Sequence, residues 1–226
     1  MKTQKIALIL LSLVMAFSIV ACGKATDNNK TDDNGKGNTT ITATPAEIEQ
    51  KIADAIGKDN YLCDTEIEKD WLQNSFGIDL SKVDSYVAKQ NSVSSVNPDT
   101  VIILKTKDGY ADEAVKLLND NFAQMVDYIR QYPFGTAKVM NGRLYQSGNY
   151  VVYVIAGASY DGEDTEAEAK LATSEYAKID KVIKEVFGTL PENSAVVPED
   201  NGNNGGLIVP DDNDNTNNDG APIVGG

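Results

Sequence analysis

The chain has 226 residues with 20 basic and 34 acidic side chains, so its net charge at neutral pH is −14. Such an acidic surface repels phosphate backbones, and we expect no nucleic acid partner. The chain has no histidine, which excludes Ser-His-Asp and Cys-His catalysis and zinc sites of the usual histidine-rich kind.

The first 21 residues have the pattern of an export signal. Lys2 and Lys5 precede an apolar run from Ile6 to Val20, and the small Ala21 follows it. The run has about 15 residues, whereas a helix that spans a membrane needs roughly 20. Residues 1–21 are therefore predicted to be a signal peptide.

The end of this signal, Ile19-Val20-Ala21-Cys22, resembles the lipobox of bacterial lipoproteins. The resemblance implies that the Cys22 sulfur receives a diacylglycerol and that the chain is cut before this residue. Two lipid chains hold a protein firmly, because each buried methylene contributes about 0.8 kcal/mol. We therefore expect the mature protein on the outer face of the cell membrane, with the membrane as a partner through this anchor.

Two further segments have a biased composition. Residues 22–43 are mostly Asn, Asp, Thr, Gly and Lys, with little to bury, and are predicted to form a disordered tether behind the lipidated cysteine. Residues 193–226 contain six acids and no base, and are predicted to be a disordered acidic tail. The globular domain is expected to span 44–192.

Two helices are predicted at the start of this domain. Thr44-Pro45-Ala46-Glu47 is a capping box with proline at the first helical position, and Gly57 ends the helix. A second, short helix is predicted over 66–76, where Trp71 is expected to pack. Gly77 can end it.

An extended region follows from 83 to 106. The β-branched run Val101-Ile102-Ile103-Leu104 suits a central strand, and Asn97-Pro98-Asp99 forms the turn before it. After Asp108-Gly109 a long helix is predicted up to Pro133, because apolar residues recur with a period of 3.6: Ala114, Val115, Leu118, Phe122, Met125 and Ile129.

The last part of the domain is predicted to be a hairpin and a helix. Strands over 137–146 and 150–156 flank Ser147-Gly148-Asn149. Side chains should alternate along the second strand, so that Val151, Tyr153 and Ile155 face one way and Val152, Val154 and Ala156 the other. Thr165 and Glu168 form a capping box for the last helix, which ends at Gly188.

The predicted order is therefore ααββαββα. It corresponds to a single α+β domain with a mostly antiparallel sheet of about four strands, packed by helices.

Two short motifs resemble an uncharacterised lipoprotein family, the domain of unknown function 4358. They are Asp108-Gly109 before the long helix, and Gly148-Asn149-Tyr150-Val151-Val152 at the start of the last strand. The resemblance spans roughly Ala46 to Phe187. It implies a secreted, lipid-anchored α+β module of Gram-positive bacteria, and it brings no reaction, ligand or catalytic residue.

Three features of the domain are candidate sites. Cys63 is interpreted as a small core residue, with a reactive or pairing thiol as the alternative. Asp161-Gly162-Glu163-Asp164 is interpreted as a solvated loop before a helix, with a cation site as the alternative. Aromatic residues around the hairpin could line a groove for a peptide or glycan, or simply cover a sheet face: Tyr128, Tyr132, Phe134, Tyr145, Tyr150 and Tyr153.

The leading hypothesis is a non-enzymatic envelope module that binds a protein, peptide or glycan outside the membrane. No catalytic residue, cofactor or metal is predicted. In the tail, Asn215, Asn217, Asp219 and Gly220 imitate part of a calcium loop, but Gly226 stands where that loop needs glutamate. The alternatives are a histidine-free cell-wall hydrolase with a carboxylate pair, and a solute-binding lipoprotein of a transporter.

Overall fold

Helices and strands are interspersed along the chain in the computed structural model, which describes residues 41–94, 97–131 and 135–200. The elements are α1 (Pro45–Ile56), β1 (Thr65–Glu66), α2 (Lys69–Asn74), a 3-10 turn (Leu80–Lys82), β2 (Val83–Gln90), β3 (Thr100–Thr106), α3 (Ala111–Ile129), α4 (Thr136–Met140), β4 (Arg143–Ser147), β5 (Tyr150–Ile155) and α5 (Thr165–Phe187).

The strands form one antiparallel sheet in the order β1-β2-β3-β5-β4, which confirms the predicted α+β class. β3 lies at the centre, and Val101 to Leu104 are completely buried, as the β-branched run predicts. The fifth strand, β1, was missed because two residues are too short to show an alternating pattern.

Helices cover both faces of the sheet. α2 and α3 pack on one face, where Val151, Tyr153 and Ile155 of β5 also point. α1 and α5 pack on the other face, together with Val152, Val154 and Ala156. The predicted alternation along β5 is therefore confirmed, and both of its faces are buried because the sheet lies between two helical layers.

The capping box predicted for α1 is present, whereas the one predicted for α5 is not. At α1, Thr44 and Glu47 form the predicted capping box. At α5 the predicted capping box of Thr165 and Glu168 is wrong, because Asp164 caps the helix through the backbone N–H groups of the second and third helical residues. The Glu168 carboxylate instead accepts a hydrogen bond from the Ala137 backbone N–H.

The predicted strand over 137–146 is also partly wrong. Its first residues form the short helix α4, and only Arg143 to Ser147 are extended. The Tyr176 hydroxyl of α5 donates to the Lys138 carbonyl and Glu168 holds Ala137, so α5 supports this turn of helix. These are long-range contacts, which local β propensity cannot report.

Trp71 does not pack as predicted, since 57% of its surface is exposed. α2 has only six residues, and Leu72 occupies its buried face. On so short a helix the neighbouring side chain points about 100° away from that face. In α3 the predicted stripe is mostly buried, although Val115 and Met125 are only partly covered and Val126 takes a core position.

The ends of the domain extend beyond the predicted 44–192. Ile41 and Ala43 pack against the core, and the Tyr150 hydroxyl donates to the Ala43 carbonyl. After 192, the Asn193 side chain binds the backbone of Gly142 and Leu144. The predicted disordered tail therefore begins too early.

This C-terminal segment continues across α3. Val196 N–H donates to the Asn119 side chain, and Arg130 donates to the Pro198 carbonyl. The signal peptide, Cys22, the tether up to residue 40 and the tail from residue 201 lie outside the described residues. Among the helices that the structure describes, none has the length and apolar character to cross a membrane.

Candidate functional site

The two ends of the sheet carry different parts of the chain. Thr100 of β3 pairs with Gln90 of β2 and Ile155 of β5, so the segments around these residues meet at one end, here called the loop end. The opposite end carries the tight turn at Gly148-Asn149 and is called the hairpin end. The predicted hairpin is confirmed, with Ser147 paired to Tyr150 across a two-residue turn.

The chain enters the domain at the hairpin end. Ala43 is held by the hydroxyl of Tyr150, and Tyr150 pairs with Lys105 near the end of β3. Any tether on the N-terminal side therefore attaches at this end of the sheet. The loops that join β2 to β3, α3 to β4 and β5 to α5 lie at the opposite end.

A buried ion pair lies at the loop end. Asp99, just before β3, has no exposed surface, and Lys138 in α4 is 5% exposed. Lys138 Nζ is 2.5 Å from Asp99 Oδ1. The angles of this contact are not those of a hydrogen bond, and Asp99 Oδ2 has no polar partner among the described residues.

Polar groups of the segment after β5 also lie near the pair. Lys138 Nζ also lies 3.3 Å from the Gly157 carbonyl and 3.2 Å from Ser159 Oγ. Burial raises the pKa of Asp99 to about 6, although the positive charge of Lys138 opposes the shift. Asp99 therefore accepts a proton at a higher pH than an exposed carboxylate does.

Cys63 lies within electrostatic reach of this pair. Its side chain is buried and unpaired, which confirms the interpretation as a core residue. Burial raises the pKa of the Cys63 thiol, and the negative charge of Asp99 raises it further. A thiol held in its protonated form is a poor nucleophile.

A second polar cluster ties β4 to α5. Arg143 donates to both oxygens of Asp180, at 3.0 and 3.2 Å, and the Tyr145 hydroxyl donates to the same carboxylate at 2.6 Å. Burial raises the pKa of Tyr145, and the hydrogen bond to Asp180 adds to the shift. Such a forked, charge-assisted arrangement fixes the position of the helix on the sheet.

The predicted aromatic groove is wrong. Tyr145, Tyr150 and Tyr153 are at most 5% exposed. Tyr145 and Tyr150 belong to the face covered by α1 and α5, whereas Tyr153 belongs to the opposite face. Tyr128 is partly exposed on α3, and Tyr132 and Phe134 lie outside the described residues.

The acidic loop 161–164 lies at the loop end before α5. Asp164 is occupied as the helix cap, and its neighbours are exposed. Within residues 41–94, 97–131 and 135–200 no group of three or more Cys, Asp or Glu side chains is arranged to hold a metal ion. The calcium-like pattern of the tail, from Asn215 to Gly226, lies outside these ranges.

Two open surface cavities lie away from these clusters. One, of about 310 Å³, lies beside β1 and β2 and is lined by Glu66, Ile67, Glu68, Lys69, Tyr86, Val87 and Ala88. The other, of about 450 Å³, lies between α1 and α5 and is lined by Lys51, Asp54, Ala55, Lys178, Lys181, Val182 and Glu185. Neither contains a tyrosine of the predicted groove.

Sequence reasoning missed Asp99 and Lys138 as a pair. Asp99 was interpreted as part of a turn, and Lys138 lay within a predicted strand. A lysine between Ala137 and Val139 was the only available signal, because it interrupts an apolar stretch. That signal does not indicate which residue pairs with the lysine.

Comparison with known proteins gave one match. The model of the family described as domain of unknown function (DUF4358) matches residues 58–156. This range holds all five strands, both motifs of the resemblance and the pair of Asp99 and Lys138, but it is narrower than the predicted 46–187 and omits α1 and α5. No curated protein and no solved structure matches the chain.

Proposed function

We propose that this chain, whose residues 58–156 match the model of the domain of unknown function 4358, is a lipid-anchored binding module on the outer face of the cell membrane. Its anchor is the diacylglycerol on Cys22, in the sequence Ile19-Val20-Ala21-Cys22. Its role is to hold an envelope protein near the membrane, and it acts on that partner by binding alone.

One observation carries this proposal: the chain enters the domain at the hairpin end, and the longest loops gather at the loop end. A lipid at Cys22 would then leave the loop end unattached and free to bind a partner. Residues 22–40, as a flexible tether, would span about 25 Å, from roughly 5–6 Å times the square root of the length. That distance lifts the domain clear of the lipid headgroups.

The chemistry of the loop end favours a basic protein segment as the partner. Asp161 and Glu163 are exposed there, and no basic residue stands between Ser159 and Asp164. Val93, on the loop after β2, exposes 56% of its surface and offers an apolar contact at the same end of the sheet. Acidic loops attract a basic partner over a distance, and an apolar contact adds affinity once it has bound.

The anchor is tested by replacing Cys22 with alanine in the full chain. The variant is expected to leave the membrane fraction or to keep its signal peptide, because no acyl chain can be attached. The measurement is membrane fractionation with the size and N-terminus of the product. An alanine variant that is processed and retained on the membrane as the native protein is would overturn the anchoring proposal.

The binding surface is tested by photo-crosslinking in intact cells. A photoreactive amino acid at Val93 probes the loop end, and one at the exposed Asp84 probes the hairpin end as a matched control. We expect one protein adduct that forms from position 93, weakens at high salt and is much fainter from position 84. Equal adducts from both positions, or none from position 93, would contradict the proposal.

A further inference from the structure

We propose that Lys138 and Asp99 become joined by an intramolecular amide bond between Lys138 Nζ and Asp99 Cγ, which crosslinks the start of the central strand β3 to α4. The structure already holds the two groups in contact. This inference concerns the interior of the domain, so it stands independently of the proposed anchor and partner.

Lys138 and Asp99 are in direct contact. Charge-assisted N–H···O bonds usually measure about 2.7–2.9 Å, whereas Lys138 Nζ lies 2.5 Å from Asp99 Oδ1 without hydrogen-bond angles. In an amide the nitrogen and oxygen are about 2.2 Å apart, as its bond lengths require. The amine is thus already in contact with the carboxyl group that it would attack.

The unreacted pair is costly in free energy because it is buried. Both side chains are removed from water, and Asp99 Oδ2 has no described polar partner. A buried ion pair is retained at a large desolvation cost unless its remaining lone pairs are satisfied. Burial therefore favours the neutral carboxyl of Asp99, and an amide would remove both charges from this site.

The reaction needs no oxidant and no cofactor. The Lys138 ammonium passes a proton to the Asp99 carboxylate, and the free amine then attacks Cγ. The new C–N bond forms as one C–O bond breaks, and the departing hydroxyl takes a second proton from the nitrogen and leaves as water. The remaining amide N–H has acceptors in place, since the Gly157 carbonyl and Ser159 Oγ already lie near Nζ.

The elements around the pair hold it in this geometry. The Tyr176 hydroxyl donates to the Lys138 carbonyl, which fixes α4 on α5. On the other side, the Asp99 backbone N–H donates to the Asn97 side chain and its carbonyl accepts from Asn91 N–H. Two reacting groups held at contact by rigid neighbours react far faster than free ones.

The test is a tryptic map of the purified, fully denatured full chain. An unlinked chain is cut at Lys138, whereas the linked chain yields residues 90–105 joined to residues 131–143, about 18 Da lighter than the two peptides through loss of water. Lys138→Arg and Asp99→Ala are each expected to abolish the joined peptide. Finding only the separate peptides in the wild-type chain, or the joined mass in either variant, would overturn the proposal.

The pair of Lys178 and Glu175 is a matched internal control. Its oxygen and nitrogen are 2.6 Å apart, but the Lys178 side chain is 40% exposed. Because water reaches the Lys178 amine, this pair is not removed from solvent as a whole, and we expect normal cleavage at Lys178 in the same digest. A crosslink at Lys178 would contradict the argument that burial drives the reaction.

Discussion

Replacing Lys138 by methionine is expected to lower the free energy of unfolding by at least about 3 kcal/mol at neutral pH, because it leaves Asp99 as a buried carboxyl with neither the amide bond nor the cation that Lys138 can provide. Methionine has a similar length and no charge, so the change removes the charge and the amine with little change in volume. Asp99 has no exposed surface through which water could replace the lost partner. The measurement is urea unfolding followed by circular dichroism.

The same variant should depend on pH in a defined direction. Burial raises the pKa of Asp99 from 3.8 to about 6 even with Lys138 present, and removing that positive charge raises it further. The folded state then binds the proton more tightly than the unfolded state. The variant's stability is therefore fullest below about pH 4 and falls as the pH rises through 6 and beyond.

A double variant, Lys138→Met with Asp99→Asn, is the control for this pH dependence. The asparagine cannot titrate, so the fall in the free energy of unfolding between about pH 4 and pH 7 is expected to disappear. The argument would be contradicted if the free energy of unfolding of the single variant were lower than that of the double variant by the same amount at about pH 4 and at about pH 7. This result would also show that Asp99 is not the group whose charge is costly.

Phe122→Ala is expected to cost about 3–5 kcal/mol of unfolding free energy, the range for deleting a buried aromatic ring. Phe122 has no exposed surface and lies at the centre of α3, where it contacts Tyr153 edge-to-face at 6.5 Å between ring centroids. Gly142 approaches the ring so closely that a Cβ there would lie 2.6 Å from it. Rigid neighbours on two sides leave a cavity that cannot collapse.

Gln124→Ala is the matched control for this prediction. Gln124 lies two residues further along α3 and is exposed, and such surface changes usually stay within about 0.5 kcal/mol. Both variants are compared by chemical denaturation, with unchanged dependence on denaturant as the sign of intact two-state unfolding. A loss below about 1 kcal/mol for Phe122→Ala would show that the core repacks around the site.

Local signals correctly predicted the parts of the fold that depend on neighbours in sequence. The capping box at Thr44 and Glu47 involves residues three apart, and the two faces of β5 follow from a period of two. The sheet's centre was predictable for the same reason, since Val101 to Leu104 are apolar on both faces. Such features need no knowledge of what packs against them.

The errors share the opposite property. Thr165 and Glu168 satisfy the capping-box pattern, yet Asp164 caps α5 and Glu168 serves α4. Trp71 has the composition of a core residue, but Leu72 holds the buried position of α2. In each case two neighbouring residues were suited to the position, and contacts with a distant element determined which of them occupies it.

The candidate site was the least predictable part. The tyrosines near the hairpin appeared as one cluster in sequence, but alternation places Tyr153 on the face opposite Tyr145 and Tyr150. Asp99 and Lys138 have no sequence pattern in common and are brought together by β3 and α4. A pairing across the fold has no period for sequence reading to detect.

The sequence by itself determined the composition-based exclusions, the α+β class and most helix and strand positions, because these follow from charge, periodicity and capping between near neighbours. It also carries the predicted signal peptide, residues 1–21, and the predicted lipidation site, Cys22, which lie outside the described residues. Only the tertiary structure decided that α4 is helical, that the tyrosines are buried, and that Asp99 meets Lys138 without water. The physical reason is that burial and pairing are set by packing between distant segments, and a local pattern contains no information about the partner.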